Sequence, residues 1–219
     1  MKVVIIGRNE GIHIIPMLNS LLQLDAKRVW VCDRCSDNSV SLLRSLGETV
    51  ITTPSSLDGR QTSFSRNLGL GVPGEDDVLF LDGDRYPVKG DITSITDSKT
   101  DITLLSLEDD FRIERGGEDY NKFYGKITNF FYSCGIYMKK HAIKEVCEFQ
   151  GGELFSTKAQ SEWGIEDTYL GDVCYNLGLS CCLNTSIRLR GTFEKRELDN
   201  INVFKKRLEM RSQLKNVLW

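Results

Sequence analysis

The triplet Asp82-Gly83-Asp84 is the part of this sequence best suited to chemistry. It follows the apolar run Val78-Leu79-Phe80-Leu81, which predicts a buried strand with two carboxylates at its C-terminal end. Open α/β sheets bind ligands at that edge. Carboxylates suit Mg²⁺ and Mn²⁺, and Mg²⁺ is usually held by one or two of them together with substrate phosphates. The triplet therefore indicates metal-assisted handling of a nucleoside diphosphate, although the same residues also occur in plain turns.

The elements that must position these carboxylates alternate through the first half of the chain. Hydrophobic patterns predict strands at 2–6, 28–32, 48–51 and 77–81, and helices at 12–24, 38–46 and 62–70. This alternation is typical of βαβ units and predicts an α/β fold with a mostly parallel central sheet flanked by helices. The second half is less regular, with strands at 102–107 and 135–138, a helix at about 168–177 and a final helix at 200–218.

Length and composition bound the class of protein. The chain has 219 residues, of which 40% are hydrophobic and 27% charged, and this predicts one globular domain. Its apolar runs are far shorter than the ~20 residues of a membrane-spanning helix, and its N-terminus turns polar too early for a signal peptide. The seven cysteines are an odd number, which favours reduced thiols. We therefore expect a soluble, cytoplasmic protein.

Charge is distributed unevenly along the chain. The formal net charge is -3, yet residues 188–215 carry nine Lys or Arg against four Asp or Glu. This run is either a solvated helix face or a basic surface for a diphosphate or polyanionic acceptor.

Five segments, in one order, resemble the GT-A fold, family 2 type nucleotide-sugar glycosyltransferases. They are Val4-Ile5-Ile6-Gly7-Arg8-Asn9-Glu10, Val31-Cys32-Asp33-Arg34-Cys35-Ser36-Asp37, Gly59-Arg60 through Ser65-Arg66-Asn67-Leu68-Gly69, Asp82-Gly83-Asp84 and Trp163-Gly164-Ile165-Glu166-Asp167. The resemblance covers most of residues 2–193. It implies a single GT-A domain over 1–219, with a nucleotide-sugar-binding half at 1–90, a smaller acceptor-side half at 91–193 and a basic helix at 194–219.

The resemblance also implies a donor site with Mn²⁺ or Mg²⁺. Asp84 is the expected direct metal ligand, Asp82 binds the ribose or a metal-bound water, and the ion neutralises the departing diphosphate. Asp33 anchors the base, because a carboxylate can accept the imide hydrogen of uracil, or donors of another base. The expected nucleotide-sugar-binding set is Arg8, Glu10, Asp33, Arg60, Arg66, Asp82 and Asp84. Arg66 suits either the diphosphate or a core carboxylate, and we favour a role on the nucleotide side.

On the acceptor side, the resemblance implies catalysis by Asp167 and Glu166. Asp167 is the expected general base for an inverting transfer, and Glu166 is expected to hydrogen-bond the acceptor. Acidic residues in the first turn of a helix also complement its dipole, so the pair has an alternative structural explanation. Trp163 would stack on a sugar face or fill the core.

The chain departs from the family pattern in one place. Many family members complete the metal site with a late histidine, whereas the only histidines here are His13 and His141. The segment Arg188-Leu189-Arg190-Gly191-Thr192 stands where that ligand is expected, and its arginines would compensate the diphosphate charge directly.

The sequence therefore predicts a metal-dependent glycosyltransferase that uses a nucleotide-diphosphate sugar, with a UDP-sugar favoured. The acceptor is a 5-hydroxymethylpyrimidine in DNA, as in phage-type enzymes acting in a host cytoplasm, or a glycan or small molecule; a basic tail would suit DNA phosphates. A nucleotidylyltransferase is an alternative, but its glycine-rich loop is poorly matched after the first strand. A non-catalytic carbohydrate- or nucleic-acid-binding module would not need a placed base.

Overall fold

The structure, a computed structural model, describes residues 1–54, 61–71, 76–109, 134–159 and 166–192. One sheet contains eight strands in the order β3-β2-β1-β4-β7-β6-β8-β5. The strands are β1 Lys2–Gly7, β2 Lys27–Cys32, β3 Thr49–Thr52, β4 Val78–Asp82, β5 Pro87–Lys89, β6 Ile102–Asp109, β7 Gly135–Met138 and β8 Cys181–Thr192. The helices are α1 Ile14–Ser20, α2 Ser39–Ser45, α3 Thr62–Leu70, α4 Lys140–Phe149 and α5 Glu166–Asn176, with 3₁₀ segments at Gly11–His13 and Ile92–Asp97.

The sheet is parallel in its first half and mixed in its second. β1 pairs in parallel with β2 and β4, and β2 pairs in parallel with β3, as predicted. β7 is antiparallel to β4 and β6, and β5 is antiparallel to β8, whereas β6 and β8 are parallel. Parallel neighbours require a long crossover connection, so parallel pairing prevails where strand and helix patterns alternate regularly along the chain.

Both faces of the sheet are covered. Val3, Val4 and Ile5 of β1 are all fully buried, although successive side chains of a strand point to opposite faces. Val4 belongs to one apolar cluster, and Val3 and Ile5 belong to the other. Burial on both faces explains why this strand is a continuous apolar run rather than an alternating one.

Helix α3 lies unusually close to the sheet. A Cβ atom on Gly69 would lie 3.1 Å from Cγ2 of Val31 and closer still to Val4, so only glycine fits there. At the end of the helix, Nζ of the buried Lys2 donates to the backbone oxygen of Leu70 at 2.9 Å, and burial lowers the pKa of Lys2. These contacts fix α3 against β1.

Several predicted boundaries change in the structure. The predicted helix at 12–24 is wrong in extent. Gly11–His13 form a 3₁₀ turn, and α1 then runs only from Ile14 to Ser20. The helix predicted from about 168 begins at Glu166, so the acidic pair lies inside its first turn. The sequence reading missed α4, and it missed β5, whose three residues are too few for an alternating pattern. The predicted helix at 200–218 lies outside the described residues. None of the helices in the described part of the chain combines the length and apolar character needed to cross a membrane.

Candidate functional site

Three turns meet where β1, β2 and β4 end, at residues 7–10, 33–37 and 82–84. Parallel pairing places Ile6 opposite Asp82, and Gly7 opposite Cys32, so the carboxyl ends of the three strands share one edge. An open cleft lies at this edge and also contacts the start of α3. Its lining includes Arg8, Glu10, Asp33, Thr62, Asp82 and Asp84. The structure thus brings five of the predicted donor-site residues together.

The Asn9 side chain connects the turn at 7–10 to the turn at 33–37 by hydrogen bonds. Its backbone has φ 61°, a left-handed conformation that asparagine adopts more readily than most residues. Its side-chain oxygen accepts the backbone N–H groups of Ser36 at 2.7 Å and Asp37 at 3.3 Å. Asp37 in turn accepts the N–H of Gly11 at 3.2 Å and that of Ser39, at the start of α2, at 3.0 Å. Asp37 therefore supports the first turn of α2 and also ties that helix to the β1 turn.

Gly83 is required between the two aspartates because the Glu10 side chain packs over it. A Cβ atom on Gly83 would lie 2.9 Å from Cγ of Glu10, and a Cβ on Gly7 would lie 2.7 Å from the same atom. The N–H of Gly83 also donates to the backbone oxygen of Ile6 at 2.7 Å. Both glycines thus allow Glu10 to reach across the ends of β1 and β4.

The cleft concentrates negative charge around Glu10. Burial raises the pKa of the Glu10 carboxyl, and the nearby carboxylates of Asp84, Asp82 and Asp37 raise it further. Like charges this close disfavour one another's ionisation, and a cation bound among them would relieve the repulsion. The electrostatics of the cleft therefore suit a positively charged ligand.

Asp33 lies at the end of β2 with most of its hydrogen-bonding capacity in use. Its Oδ1 accepts from Nε of Arg34 at 2.9 Å and from the Thr53 hydroxyl at 2.7 Å, and its Oδ2 accepts from Nη2 of Arg34 at 2.9 Å. Burial acts to raise the pKa of Asp33, but the hydrogen bonds from Arg34 and Thr53 outweigh it and keep the pKa below its usual value. A carboxylate offers about four acceptor positions, so Oδ2 retains one for a donor in the cleft.

Asp82 and Asp84 differ in their environments. Oδ1 of Asp82 accepts from Nη2 of the buried Arg66 at 2.7 Å. The Asp84 side chain is 42% exposed, and its contact among the described residues is with Nε of Arg85, 3.7 Å from Oδ2. Asp84 is therefore the more open carboxylate of the two.

The described residues contain no cluster of three or more His, Cys, Asp or Glu side chains able to enclose a metal. A divalent cation that keeps several positions for water and phosphate oxygens needs only one or two carboxylates. Asp84 with the second oxygen of Asp82, in the negative field that raises the pKa of Glu10, fits such a site. The residues present thus fit a metal that is completed by its substrate, and not a closed protein cage.

Glu166 and Asp167 lie in the first turn of α5, close to α3. Oε1 of Glu166 accepts from the Thr62 hydroxyl at 2.7 Å and lies 3.8 Å from Nη1 of Arg66. Asp167, beside it, is partly exposed. Two predicted site residues, Arg60 and Trp163, lie outside the described residues.

Arg190 on β8 lies beside the Asp82-Gly83-Asp84 turn. Its Nη1 is 3.5 Å from the backbone oxygen of Asp84, and its guanidinium lies over the Tyr86 ring, 5.8 Å from the centroid. Its backbone N–H donates to the backbone oxygen of Tyr86 at 2.8 Å, and Nη1 of Arg85 donates to its backbone oxygen at 3.2 Å. Arg190 is thus held beside the backbone of Asp84.

The sequence reading missed Thr53, Thr62, Arg34 and Arg85 as part of the site. Thr53 follows β3, and its position directly after a parallel strand was a usable signal. Thr62 carries no signal in the sequence, because its importance comes from Glu166, which is 104 residues away in the chain. Long-range contacts of this kind are visible only in the folded molecule.

The chain was compared with known proteins. No family model matches the sequence, and the search of curated proteins finds no match. Among solved structures, TarS 1-349 from S. aureus matches with a TM-score of 0.58 and 16% sequence identity, over 93% of this chain and 63% of that one. TarS 1-349 in complex with UDP gives a TM-score of 0.60 and 16% identity, over 94% and 64%.

A second enzyme matches equally well. Glucosyl-3-phosphoglycerate synthase from Mycobacterium tuberculosis, in complex with Mn²⁺, UDP-glucose and phosphoglyceric acid, has a TM-score of 0.58 and 15% identity, over 94% of this chain and 79% of that one. Both neighbours are glycosyltransferases with the GT-A architecture. This chain has the GT-A fold. It spans less than two thirds of the TarS 1-349 chain it matches, and a shared fold at this identity leaves the substrate to be argued from the site.

Proposed function

We propose that this GT-A chain is a metal-dependent glycosyltransferase that moves a sugar from a nucleotide-diphosphate sugar, with a UDP-sugar favoured, to an acceptor hydroxyl. One observation carries the proposal: Arg8, Glu10, Asp33, Asp82 and Asp84 line a single cleft at the carboxyl edge of the sheet. Ligands of open α/β folds bind at this edge. The neighbouring structures support the donor class, since they include complexes with UDP, UDP-GlcNAc and UDP-glucose.

Asp33 is the proposed ligand of the nucleobase. Its remaining acceptor position on Oδ2 suits the imide N–H of uracil, and the contacts from Arg34 and Thr53 hold the carboxylate ionised and oriented. A base with no hydrogen to donate at that position would leave this remaining acceptor position of Asp33 unfilled, which favours uracil over cytosine.

Asp84, with Asp82, is proposed to hold Mn²⁺ or Mg²⁺ together with the donor diphosphate. When bound, the ion would act as a Lewis acid and neutralise the leaving group. Arg8 and Arg190 are proposed to add positive charge around the diphosphate. Neither guanidinium forms an ion pair with a carboxylate in the described part of the chain. Guanidinium groups are well suited to phosphate oxygens.

Asp167 is the proposed general base, with Glu166 beside it as an acceptor contact. The acceptor hydroxyl loses its proton to Asp167 as its oxygen bonds to the anomeric carbon of the sugar. The bond from that carbon to the diphosphate breaks, and its electron pair leaves with the nucleotide. A single displacement of this kind inverts the anomeric configuration.

The proposed acceptor is a 5-hydroxymethylpyrimidine in DNA, or else a glycan or small molecule. The basic composition of residues 188–215 supports DNA, because each phosphate contact by Lys or Arg releases counterions. Transfer to a base would require that base to leave the duplex stack.

The test measures nucleotide release from UDP- and GDP-sugars with Mn²⁺, with and without hydroxymethylated DNA. We expect UDP release that the correct acceptor stimulates, and stimulation by that DNA would identify it. In the Asp167→Asn variant we expect donor binding to be retained and transfer to fall at least about a hundredfold, the usual scale of a general base. Asp172→Asn, later in α5, is the matched control. Normal transfer by Asp167→Asn would refute the base assignment, and absence of release with every donor would favour a binding module.

A further inference from the structure

One buried guanidinium joins the two sides of the cleft. Arg66 on α3 is 2% exposed. Its Nη2 donates to Oδ1 of Asp82 at 2.7 Å, and its Nη1 lies 3.8 Å from Oε1 of Glu166. Asp82 belongs to the proposed donor side and Glu166 to the proposed acceptor side. The two carboxylates therefore share a single cation.

Thr62 makes a second connection to the acceptor side. It lies one helical turn before Arg66, on the same side of α3. Its hydroxyl donates to Oε1 of Glu166 at 2.7 Å, the same oxygen that faces Arg66. One oxygen of Glu166 is therefore held by two residues of α3.

The Arg66 side chain has little freedom to move. Its guanidinium lies over the Phe155 ring, 5.2 Å from the centroid, and that ring packs edge-on against Phe80 with centroids 5.0 Å apart. The Asn67 side chain makes two hydrogen bonds with the backbone of Phe155. Its Nδ2 donates to the Phe155 oxygen at 2.7 Å, and its Oδ1 accepts the Phe155 N–H at 3.0 Å. The Arg66 guanidinium is therefore held in a fixed position between the Asp82 and Glu166 carboxylates.

The contact between Arg66 and Glu166 is incomplete. Nε and Nη1 of Arg66 are buried and have no hydrogen-bond partner in the described part of the chain. A buried donor without a partner is costly, and a shift of roughly 1 Å would bring Nη1 and Oε1 to hydrogen-bonding distance. The site thus contains an unmade charge-assisted hydrogen bond between α3 and the first turn of α5.

We infer that Thr62 and Arg66 are positioning residues that hold the first turn of α5 in register with Asp82, so that donor binding at Asp82 tightens the turn carrying Glu166 and Asp167. The inference rests on the proposed function. Neither residue has to touch the reacting atoms: Arg66 is enclosed by protein, and the Thr62 hydroxyl is committed to Glu166. Their effect is on where the proposed base lies, and misplacement by about 1 Å can reduce a rate a hundredfold.

The test compares Thr62→Val, which removes the hydroxyl at nearly constant shape, with Thr62→Ser, which keeps it. Thr96→Val is the matched control, because the exposed Thr96 hydroxyl donates to the backbone oxygen of Thr93 and Thr96 does not line the cleft. Amide hydrogen exchange of α5 is measured with and without UDP and Mn²⁺. Donor KM and kcat are measured with the acceptor identified above, and thermal unfolding checks that each variant is folded.

We expect Thr62→Val to lower protection of the first turn of α5 about tenfold without ligand, the scale of one hydrogen bond to a charged group. UDP should increase protection of that turn in the wild type, the Thr62→Ser variant and the Thr96→Val control, but not in Thr62→Val. Thr62→Val should lower kcat about ten- to a hundredfold with little change in donor KM, and Thr62→Ser should restore it.

Three results would each overturn the inference while leaving the donor proposal intact. The first is hydrogen exchange of α5 in Thr62→Val equal to that of the wild type. The second is impairment of Thr62→Ser to the same extent as Thr62→Val, and the third is UDP binding to the wild type with no change in the exchange of α5. If the wild type neither binds nor turns over any donor, the proposed function is refuted, and the ligand-free comparison of Thr62→Val with Thr62→Ser still decides whether Thr62 positions α5.

Discussion

Nη2 of Arg66 donates to Oδ1 of Asp82 at 2.7 Å, from a side chain that is 2% exposed to one that is 33% exposed. The pair therefore lies at the boundary between the core and the cleft. A buried arginine requires a carboxylate partner, and here that partner is the first acid of the Asp82-Gly83-Asp84 triplet. The metal motif predicted from sequence is thus divided: one carboxylate is anchored to the core and the other is open.

Removing the Arg66 guanidinium should reduce both the stability of the fold and donor binding. In Arg66→Met, Asp82 and Glu166 lose their shared partner, and we expect a loss of about 2–3 kcal/mol in the free energy of unfolding, since breaking a buried pair is strongly destabilising and Asp82 is partly solvated. Arg66→Lys should lose an intermediate amount of stability, because lysine keeps the positive charge but lacks the planar guanidinium that can donate to two carboxylates. Urea unfolding followed by circular dichroism measures the effect. Unfolding of Arg66→Met at the wild-type urea concentration would contradict it.

Asp84→Asn should selectively abolish the effect of metal on donor binding. We expect calorimetry to find UDP affinity raised at least about tenfold by Mn²⁺ in the wild type and unaffected by Mn²⁺ in the variant. Treating the wild type with EDTA should reproduce the behaviour of the variant. Asp97→Asn, an exposed residue of the 3₁₀ segment, is the control. A full response of UDP affinity to Mn²⁺ in Asp84→Asn would show that other residues hold the metal.

The hydrogen bonds to Asp33 predict a pH-dependent contribution to stability. The pKa of Asp33 is lowered in the folded protein, so its ionised form stabilises the fold above the unfolded pKa of about 3.9, and this stabilisation is lost as the pH falls through the lower folded pKa. Thr53→Val removes one hydrogen bond and should raise the folded pKa. The variant should be less stable than the wild type near neutral pH, and the difference should shrink in acid.

Urea unfolding from about pH 2 to pH 7 tests this expectation, and a carbon NMR titration of the Asp33 carboxyl reads its pKa directly. Thr53→Ser keeps the hydroxyl and should behave as the wild type does. A stability difference that stays constant across the whole pH range would mean that Thr53 acts through packing and not through the ionisation of Asp33.

Arg190→Gln should weaken binding of the diphosphate and not of the nucleoside. UDP carries the phosphate oxygens that a guanidinium prefers, whereas uridine has none. We therefore expect UDP affinity to fall about tenfold or more and uridine affinity to remain unchanged, measured by calorimetry without metal. Lys144→Gln removes an equal charge from the exposed face of α4 and is the control. Equal losses for UDP and uridine would place Arg190 outside the phosphate site.

Much of the donor half was predictable because its signals are local. The apolar runs of β1, β2 and β4 are buried on both faces, and the polar residues of the site follow each run directly in sequence. Since parallel strands end at the same edge of a sheet, Arg8, Glu10, Asp33, Asp82 and Asp84 had to converge there. In the second half the strand at 135–138 was predicted correctly, but α4, the three-residue strand β5 and the antiparallel pairing of β5 and β7 were not.

The sequence by itself determined which side chains follow the ends of the strands, because hydrophobic periodicity and turn residues are patterns of a few neighbouring residues. The tertiary structure decided which oxygen of each carboxylate is occupied. Arg66 takes one oxygen of Asp82, Thr62 takes one of Glu166, and Arg34 with Thr53 takes three of the acceptor positions of Asp33. These contacts depend on how α3, α5 and the turns after β2 and β3 pack at the sheet edge, and no local pattern in the sequence encodes that packing.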